Sequence, residues 1–355
     1  MSASGAIERV LSVRELNRAL LARQLLLERS DRSIVEALEQ VGGLQTQYAP
    51  AGYVGLWSRL VEFRRESLTE ALEERRVIQA TLMRSTIHMV SASDFWVFLA
   101  GIRASRRDWA MRVQRAQLAG IDMVLVAEQV RALLAAGPRR QADLVAAMEF
   151  EGVPRVASAR AGEWVDLVRV PPSGTWSRRR ADLCGLADQW LPPVDVSEAE
   201  GIVHLVRRYL GAFGPSTAAD IARWAGLPGT APGPALSSLE LRRFRDESGR
   251  LLLDLPAAPL PPADTPAPVR FLPVWDATLL VHARRTLVLP EAHRSRIFNV
   301  HAPQSFPTFL VDGAVAGTWR FAEGHVELAP FEPLTAGVRR ELEAEAERLA
   351  AFHAG

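Results

Sequence analysis

Lysine is absent from the 355 residues, and all 42 basic side chains are arginine. Codon bias in a GC-rich genome accounts for such a replacement, but its chemical consequence is independent of its origin. A lysine Schiff base, a lysine-bearing phosphate loop and a pyridoxal anchor are excluded, which leaves an α-amino group as the only amine for covalent chemistry. The single cysteine, Cys184, excludes an internal disulfide and a Cys-rich zinc site. No apolar run reaches the length that spans a bilayer, and Met1 to Arg9 lacks a basic segment followed by an apolar one. A cytoplasmic, nucleoid-associated protein without membrane contact is therefore expected. His282, His293 and His301 lack regular metal-ligand spacing, so neither metal nor other cofactor is expected. There is no Gly-rich phosphate loop and no Ser-His-Asp arrangement within a motif.

Apolar residues make up 48% of the chain, enough for a core, and the length suits two or three domains. The net charge of +1 says nothing about nucleic acid, but its distribution does. Arg103, Arg106, Arg107, Arg112 and Arg115 surround one Asp108. Arg178, Arg179 and Arg180 are consecutive, and Arg242, Arg243, Arg245 and Arg250 form a third cluster. Such clusters are either solvated helix faces or phosphate-binding patches, and three together favour nucleic acid.

Helix signals dominate the first 135 residues. Capping boxes are expected at Ser12/Glu15, Ser33/Glu36 and Ser67/Glu70, and the second helix should stop at Gly42-Gly43. Strands are expected over Val77–Arg84 and Thr86–Val90, and helices followed by a strand pair are the signature of a winged helix. The pattern recurs with helices at Val126–Ala135 and from Pro138, then strands at Val165–Val170 and Gly174–Trp176. It recurs again with a helix at Ile202–Leu210, a helix-turn-helix start at Gly214–Gly226, a recognition helix at Ala235–Phe244 and a wing strand at Leu251–Leu255. Pro256–Pro268 reads as a linker. Val269–Asp276, Thr286–Leu289 and Phe309–Trp319 read as β structure, with a hairpin turn at Asp312-Gly313, and Gly337–Phe352 reads as a final helix. The expected fold is α+β and mainly helical. Three tandem winged-helix units (1–120, 121–196 and 197–355) surround a DNA-binding cleft, the last carrying a β-rich extension.

Five segments occur in the order of one family: Leu44-Gln45-Thr46-Gln47, Met83–His88, Phe213-Gly214-Pro215, Phe271–Asp276 and the Val311–Trp319 hairpin. Over nearly its whole length the chain resembles the winged-helix DNA glycosylases of the AlkZ and YcaQ type. The resemblance implies a glutamine-aliphatic-glutamine active-site motif, as in the AlkZ-like branch, where the other branch has aspartate last. Gln45 and Gln47 match the outer positions; Thr46 departs from the middle one. It also implies action on double-stranded DNA with alkylated bases, and bulky family substrates imply that full base flipping is not needed; a monomer is expected.

Residue chemistry runs beside this resemblance. Two residues apart, Gln45 and Gln47 share a face only in extended chain. Carboxamides are neither acids nor bases at neutral pH, so they orient a water and stabilise charge through dipoles. That suffices where the leaving group is already good, as in a purine made cationic by alkylation at N7 or N3. The expected activity is monofunctional hydrolysis to an abasic site, without lyase chemistry. Arg84 and His88, on one face of a wing strand, are candidates to contact phosphate or lesion or to pair inside the wing. Asp276 is a candidate to position water or the sugar cation, or to cap a turn; Trp319 is a candidate to stack on a base or fill the core; Arg294 and Arg296 are candidates for the minor groove. Two other readings compete: a transcriptional regulator on undamaged DNA, and a resistance protein that binds a genotoxin adduct without catalysis.

Overall fold

A computed structural model describes residues 6–298 and 305–355; His301 lies outside them. Three segments repeat one order of elements, helix–strand–helix–helix–strand–strand. The first comprises Ile34–Val41, Leu44–Gln45, Ala49–Trp57, Arg65–Glu73, Val77–Thr81 and Ile87–Ser91. The second comprises Met123–Leu134, Arg139–Arg140, Gln141–Phe150, Arg155–Arg160, Leu167–Arg169 and Leu183–Leu186. The third comprises Glu198–Phe213, a single bridge at Ser216, Ala218–Ala225, Pro232–Ser238, Arg242–Asp246 and Leu251–Asp254. In all three the first strand pairs antiparallel with the last: Gln45 opposite His88, Arg140 opposite Leu183, Ser216 opposite Leu253. This is the winged-helix arrangement.

The wings of the first two segments join edge to edge where Gln79 pairs with Arg169, giving one six-stranded sheet. The third wing gains a parallel strand from far upstream, Val10–Leu11. A separate antiparallel sheet of four strands, Arg270–Leu272, Thr308–Val311, Ala314–Ala322 and His325–Pro330, forms the β-rich extension. Its Asp312-Gly313 turn has φ of 46° and 79°, the two positive values of a type I′ hairpin. Helix Ala336–Ala354 closes the chain.

Local chemistry explains where the sequence expectations need correction. Ser12 and Ser33 form their capping boxes, but Ser67 lies inside helix Arg65–Glu73, which starts after Arg64 without a side-chain cap. Gly174–Trp176 is turn rather than strand, and Leu183–Leu186 supplies the second wing strand. The expected recognition helix Ala235–Phe244 splits: Pro232–Ser238 is helical, and Arg242–Asp246 is a strand with Phe244 and Asp246 buried and Arg245 exposed. That alternation fits only an extended chain. Thr286–Leu289 lacks a partner strand; Arg285–Leu287 is a 3-10 turn that drops Val288 and Leu289 into the core.

The first helix, Val13–Arg23, ties the distant parts together. Asn17 donates to the Gly313 carbonyl at 2.9 Å, Arg14 pairs with Asp312 at 2.9 Å, and buried Arg18 pairs with the same carboxylate. Arg23 forks onto Asp254 at 2.6 and 2.8 Å, both side chains being fully buried. Across the core, helices Ala92–Val113 and Glu198–Phe213 cross at Gly101 and Gly201. A Cβ on Gly201 would stand 2.8 Å from Gly101 Cα and 2.8 Å from the Val97 carbonyl, where only backbone could yield. Gly201→Ala is expected to lower stability by about 1–3 kcal/mol through overpacking. Urea unfolding checks this, and an unchanged midpoint would show that the crossing slides freely.

Candidate active site

Helix Ile34–Val41 ends on Gly42 and Gly43, both left-handed with φ of 76° and 80°. A Cβ on Gly43 would meet Val90 Cγ1 at 2.9 Å and the Met89 carbonyl at 3.0 Å, so glycine brings the next residues hard against the wing. Leu44 and Gln45 pair with Met89 and His88, and Thr46 N–H donates to the Ile87 carbonyl at 2.8 Å. The chain is therefore extended through the motif. Thr46 is fully buried, whereas Gln45 is half-buried and Gln47 exposed. The polar middle residue has its own partner: buried Gln79 donates from Nε2 to Thr46 Oγ1 at 3.1 Å.

Both glutamine carbonyls are anchored. Gln45 Oε1 accepts from Arg84 Nη2 at 2.9 Å, and Gln47 Oε1 accepts from the Ile87 N–H at 3.0 Å. Each oxygen keeps a second lone pair, and each amide group keeps its donors. Arg84 leaves the wing strand assigned to it and sits in the turn Met83–Ser85, where it and Ser85 both have φ of 54°. Left-handed non-glycine residues of this kind cost about 1–3 kcal/mol each and persist only when their surroundings hold them. Here the Arg84 guanidinium also donates to the Trp224 carbonyl, which pins the turn to the third segment.

His88 lies behind Arg84, its Nε2 3.5 Å from the guanidinium and its Nδ1 3.0 Å from the Thr86 carbonyl. Burial first, and the Arg84 charge second, push its pKa down to about 3. Buried His282 is held well below its ordinary value by the same causes in the same order, with His88 adding to them. Both stay neutral in the fold while the unfolded chain takes up protons below about pH 6.5. Stability is thus complete above pH 6.5 and is lost as pH falls toward the depressed values, at about 1.4 kcal/mol per pH unit for each histidine. Urea unfolding at pH 7.5, 6.0 and 5.0 should show that decline; a flat or rising trend would mean that the imidazoles charge within the fold.

Of the candidate residues, Gln45, Gln47, Arg84 and His88 form one constellation, and the others are engaged elsewhere. Asp276 is buried against buried Arg59 at 2.9 Å and accepts from Thr278 N and Oγ1 at 3.1 and 2.9 Å. The Trp319 indole donates to the Leu272 carbonyl at 3.0 Å and packs edge-on to Phe271. Arg294 pairs with Glu291 at 3.0 Å; Arg296 donates to the Phe331 carbonyl and stacks on its ring.

The arginine clusters divide similarly. Arg103 pairs with Asp166 at 2.9 Å, while Arg106 and Arg107 donate to the Gly162 and Glu163 carbonyls, so that cluster joins helix Ala92–Val113 to the second segment. Arg242 pairs with Glu8, and Arg250 with Asp246. Exposed Arg178–Arg180 instead stand beside the motif, Arg179 donating to the Tyr48 hydroxyl at 2.9 Å.

Two cavities flank the motif. One of about 270 Å³ is lined by Gln47, Ser85, Arg106, Gln141 and Glu163 among others. The second, about 260 Å³, has an aromatic wall of Tyr48, Trp176, Trp319 and Phe321, with Arg179 and Arg320 at its margin. Sequence reasoning missed Tyr48, Arg106 and Glu163 as neighbours of the motif; Tyr48 is adjacent to Gln47 and Arg106 stands in an arginine cluster, whereas Glu163 carried no signal.

No helix among the described residues is long and apolar enough to cross a membrane. The family model described as DNA glycosylase AlkZ-like matches residues 38–352. An interstrand DNA cross-link repair glycosylase of Streptomyces sahachiroi is 22% identical over 339 residues, covering 88% of each chain. The solved structure of Streptomyces sahachiroi DNA glycosylase AlkZ superposes with a TM-score of 0.79 at 20% identity, covering 96% of this chain and 97% of that one. With its α+β winged-helix fold and a family match running through all three segments, this chain belongs to the AlkZ-like DNA glycosylases.

Proposed function

We propose that the protein is a monofunctional glycosylase that hydrolyses the N-glycosidic bond of purines made cationic by alkylation at N7 or N3, including bulky adducts and crosslinks. The carrying observation is the pair of carboxamides on one face of an extended strand, each with its oxygen anchored. A water donating one proton to Gln45 Oε1 and the other to Gln47 Oε1 presents its free lone pair outward. As the bond from C1′ to the purine nitrogen lengthens, the sugar approaches an oxocarbenium ion and the bond electrons neutralise the base. The water oxygen then bonds to C1′ and its proton passes to solvent, leaving an abasic site. Neither glutamine changes protonation state, which suits a leaving group that needs no acid. Arg84 fixes Gln45, and neutral His88 backs Arg84 without adding charge. DNA lies over the motif with phosphates near Arg178–Arg180. The aromatic cavity beside Tyr48 accommodates the substituent of a bulky adduct, with Trp319 as part of its wall.

Against the regulator reading, helix Pro232–Ser238, in the recognition position of the third segment, carries no charged side chain. The experiment is a duplex with one N7-methylguanine, scored for free base and for strand breakage only after alkali. Release without breakage before alkali is the expected result. No release from this duplex, from one carrying a bulky N7 adduct or from one carrying a mustard crosslink would overturn the proposal.

A further inference from the structure

The cavity on the Gln47 side is more polar in its fittings than packing of two segments requires. Arg106 lines the cavity and is 6% exposed, and its Nε has no hydrogen-bond partner among the described residues. Arg106 Nη2 donates to the Gly162 carbonyl at 3.0 Å. Glu163, 7% exposed, lines the same cavity; its nearest ion pair is a long 3.6 Å to Arg160, and the Ser85 hydroxyl faces it. A buried carboxylate and a buried guanidinium with an idle donor, neither fully paired, are costly unless a ligand completes them. Burial raises the Glu163 pKa against the pull of Arg106 and Arg160, as expected for a carboxyl with too few partners. Ser85 adjoins Arg84, and Gln47 is part of the cavity wall, so the cavity opens onto the proposed site of attack. Ile87, Leu144 and Met148 give it apolar surface.

Resting on the glycosylase reading above, we infer that this cavity reads the Watson–Crick edge of an alkylated guanine. Glu163 accepts from N1–H and the exocyclic amine, and Arg106 donates to O6. The pattern is specific. Guanine presents one acceptor and two adjacent donors on that edge, which the guanidinium and carboxylate complement. Adenine presents a donor where Arg106 donates and an acceptor where Glu163 accepts. The lesion must leave the stack far enough to show this edge.

The test compares kcat/KM for release of N7-methylguanine and of N3-methyladenine from otherwise identical duplexes by wild type, Glu163→Ala and Glu163→Gln. Wild type should prefer N7-methylguanine. Both variants should lose about 10- to 100-fold on it, the scale of one bidentate base contact, while N3-methyladenine release changes little. Glu163→Gln keeps the packing volume and serves if the alanine variant unfolds. Free 7-methylguanine, titrated by calorimetry, should bind wild type but not the Glu163 variants, and free adenine should bind none. Equal losses on both lesions, or undiminished binding of 7-methylguanine by the Glu163 variants, would overturn the inference. If wild type releases neither base, the glycosylase reading fails on these lesions, and free-base binding still decides the cavity's role.

Discussion

Gln45→Ala/Gln47→Ala protein is expected to release base from an N7-methylguanine duplex about 10²–10³-fold more slowly than wild type, yet to bind that duplex and unfold in urea much as wild type does. Each single substitution should lower kcat by about 10²–10³-fold, the usual loss on removing one preorganised polar group from a transition state. The two effects should not add, because both side chains are proposed to hold one water, and removing either leaves it free to turn. Stability should barely move: Gln47 is exposed, Gln45 is half-buried, and the residue that fills the core between them, Thr46, is retained. Arg84→Ala should share part of the kinetic loss by freeing the Gln45 carbonyl. The measurement is single-turnover base release, with duplex affinity and urea midpoints alongside. Near-wild-type release by the double variant would remove the motif from the chemistry. Loss of folding would show that the segment is structural first.

Asp276→Ala is expected to be the most damaging single change for stability, at about 3–5 kcal/mol. The substitution strands Arg59, fully buried, with the Gly55 carbonyl as its remaining close acceptor at 3.0 Å, and leaves Thr278 N–H and Oγ1 without their acceptor. An apolar pair of similar volume relieves the stranded charge, so Arg59→Met/Asp276→Leu should be more stable than Asp276→Ala alone. Base release per folded molecule should fall by no more than about threefold, since the cost lies in folding rather than in a transition-state contact. Urea unfolding and active-fraction-corrected kinetics separate the two. A stable Asp276→Ala protein with kcat reduced 10²-fold would instead give Asp276 a part in the chemistry.

The motif was legible because its signals are local. Gly42-Gly43 stops a helix, Pro50 starts another, and between them alternation puts Gln45 and Gln47 together with Thr46 opposed. What holds the motif was not legible, because it comes from afar. Gln79 satisfies Thr46 across 33 residues, and the Trp224 carbonyl fixes Arg84 across 140. The arginine clusters show the same limit. A sequence displays the charge of Arg103, Arg106 and Arg107 but not the carbonyls that helix ends leave unpaired for them. Short elements failed where two periods compete. Leu241-Arg242-Arg243-Phe244 supports helix or strand until Val10–Leu11 and Leu251–Asp254 arrive as partners on either side. Glu163 carried no motif, and only the meeting of two winged segments makes it a neighbour of Gln47.

The ties of the first helix also set an order in time. Once Val13–Arg23 has been made, Arg23 must wait 231 residues for Asp254, and Arg18 must wait 294 for Asp312. At ordinary rates of synthesis the first wait alone is roughly 10–50 s. Through it, a helix with buried Arg18 and Arg23 and one apolar stripe has neither counter-charge nor cover. The helix therefore completes its ion pairs only after the third wing and the Asp312 turn have been made. The third winged segment, complete in its own helices, still lacks the Val10–Leu11 strand until that docking occurs. Until the segments that carry Asp254 and Asp312 arrive, this helix is open to chaperones and proteases on the face that they later cover.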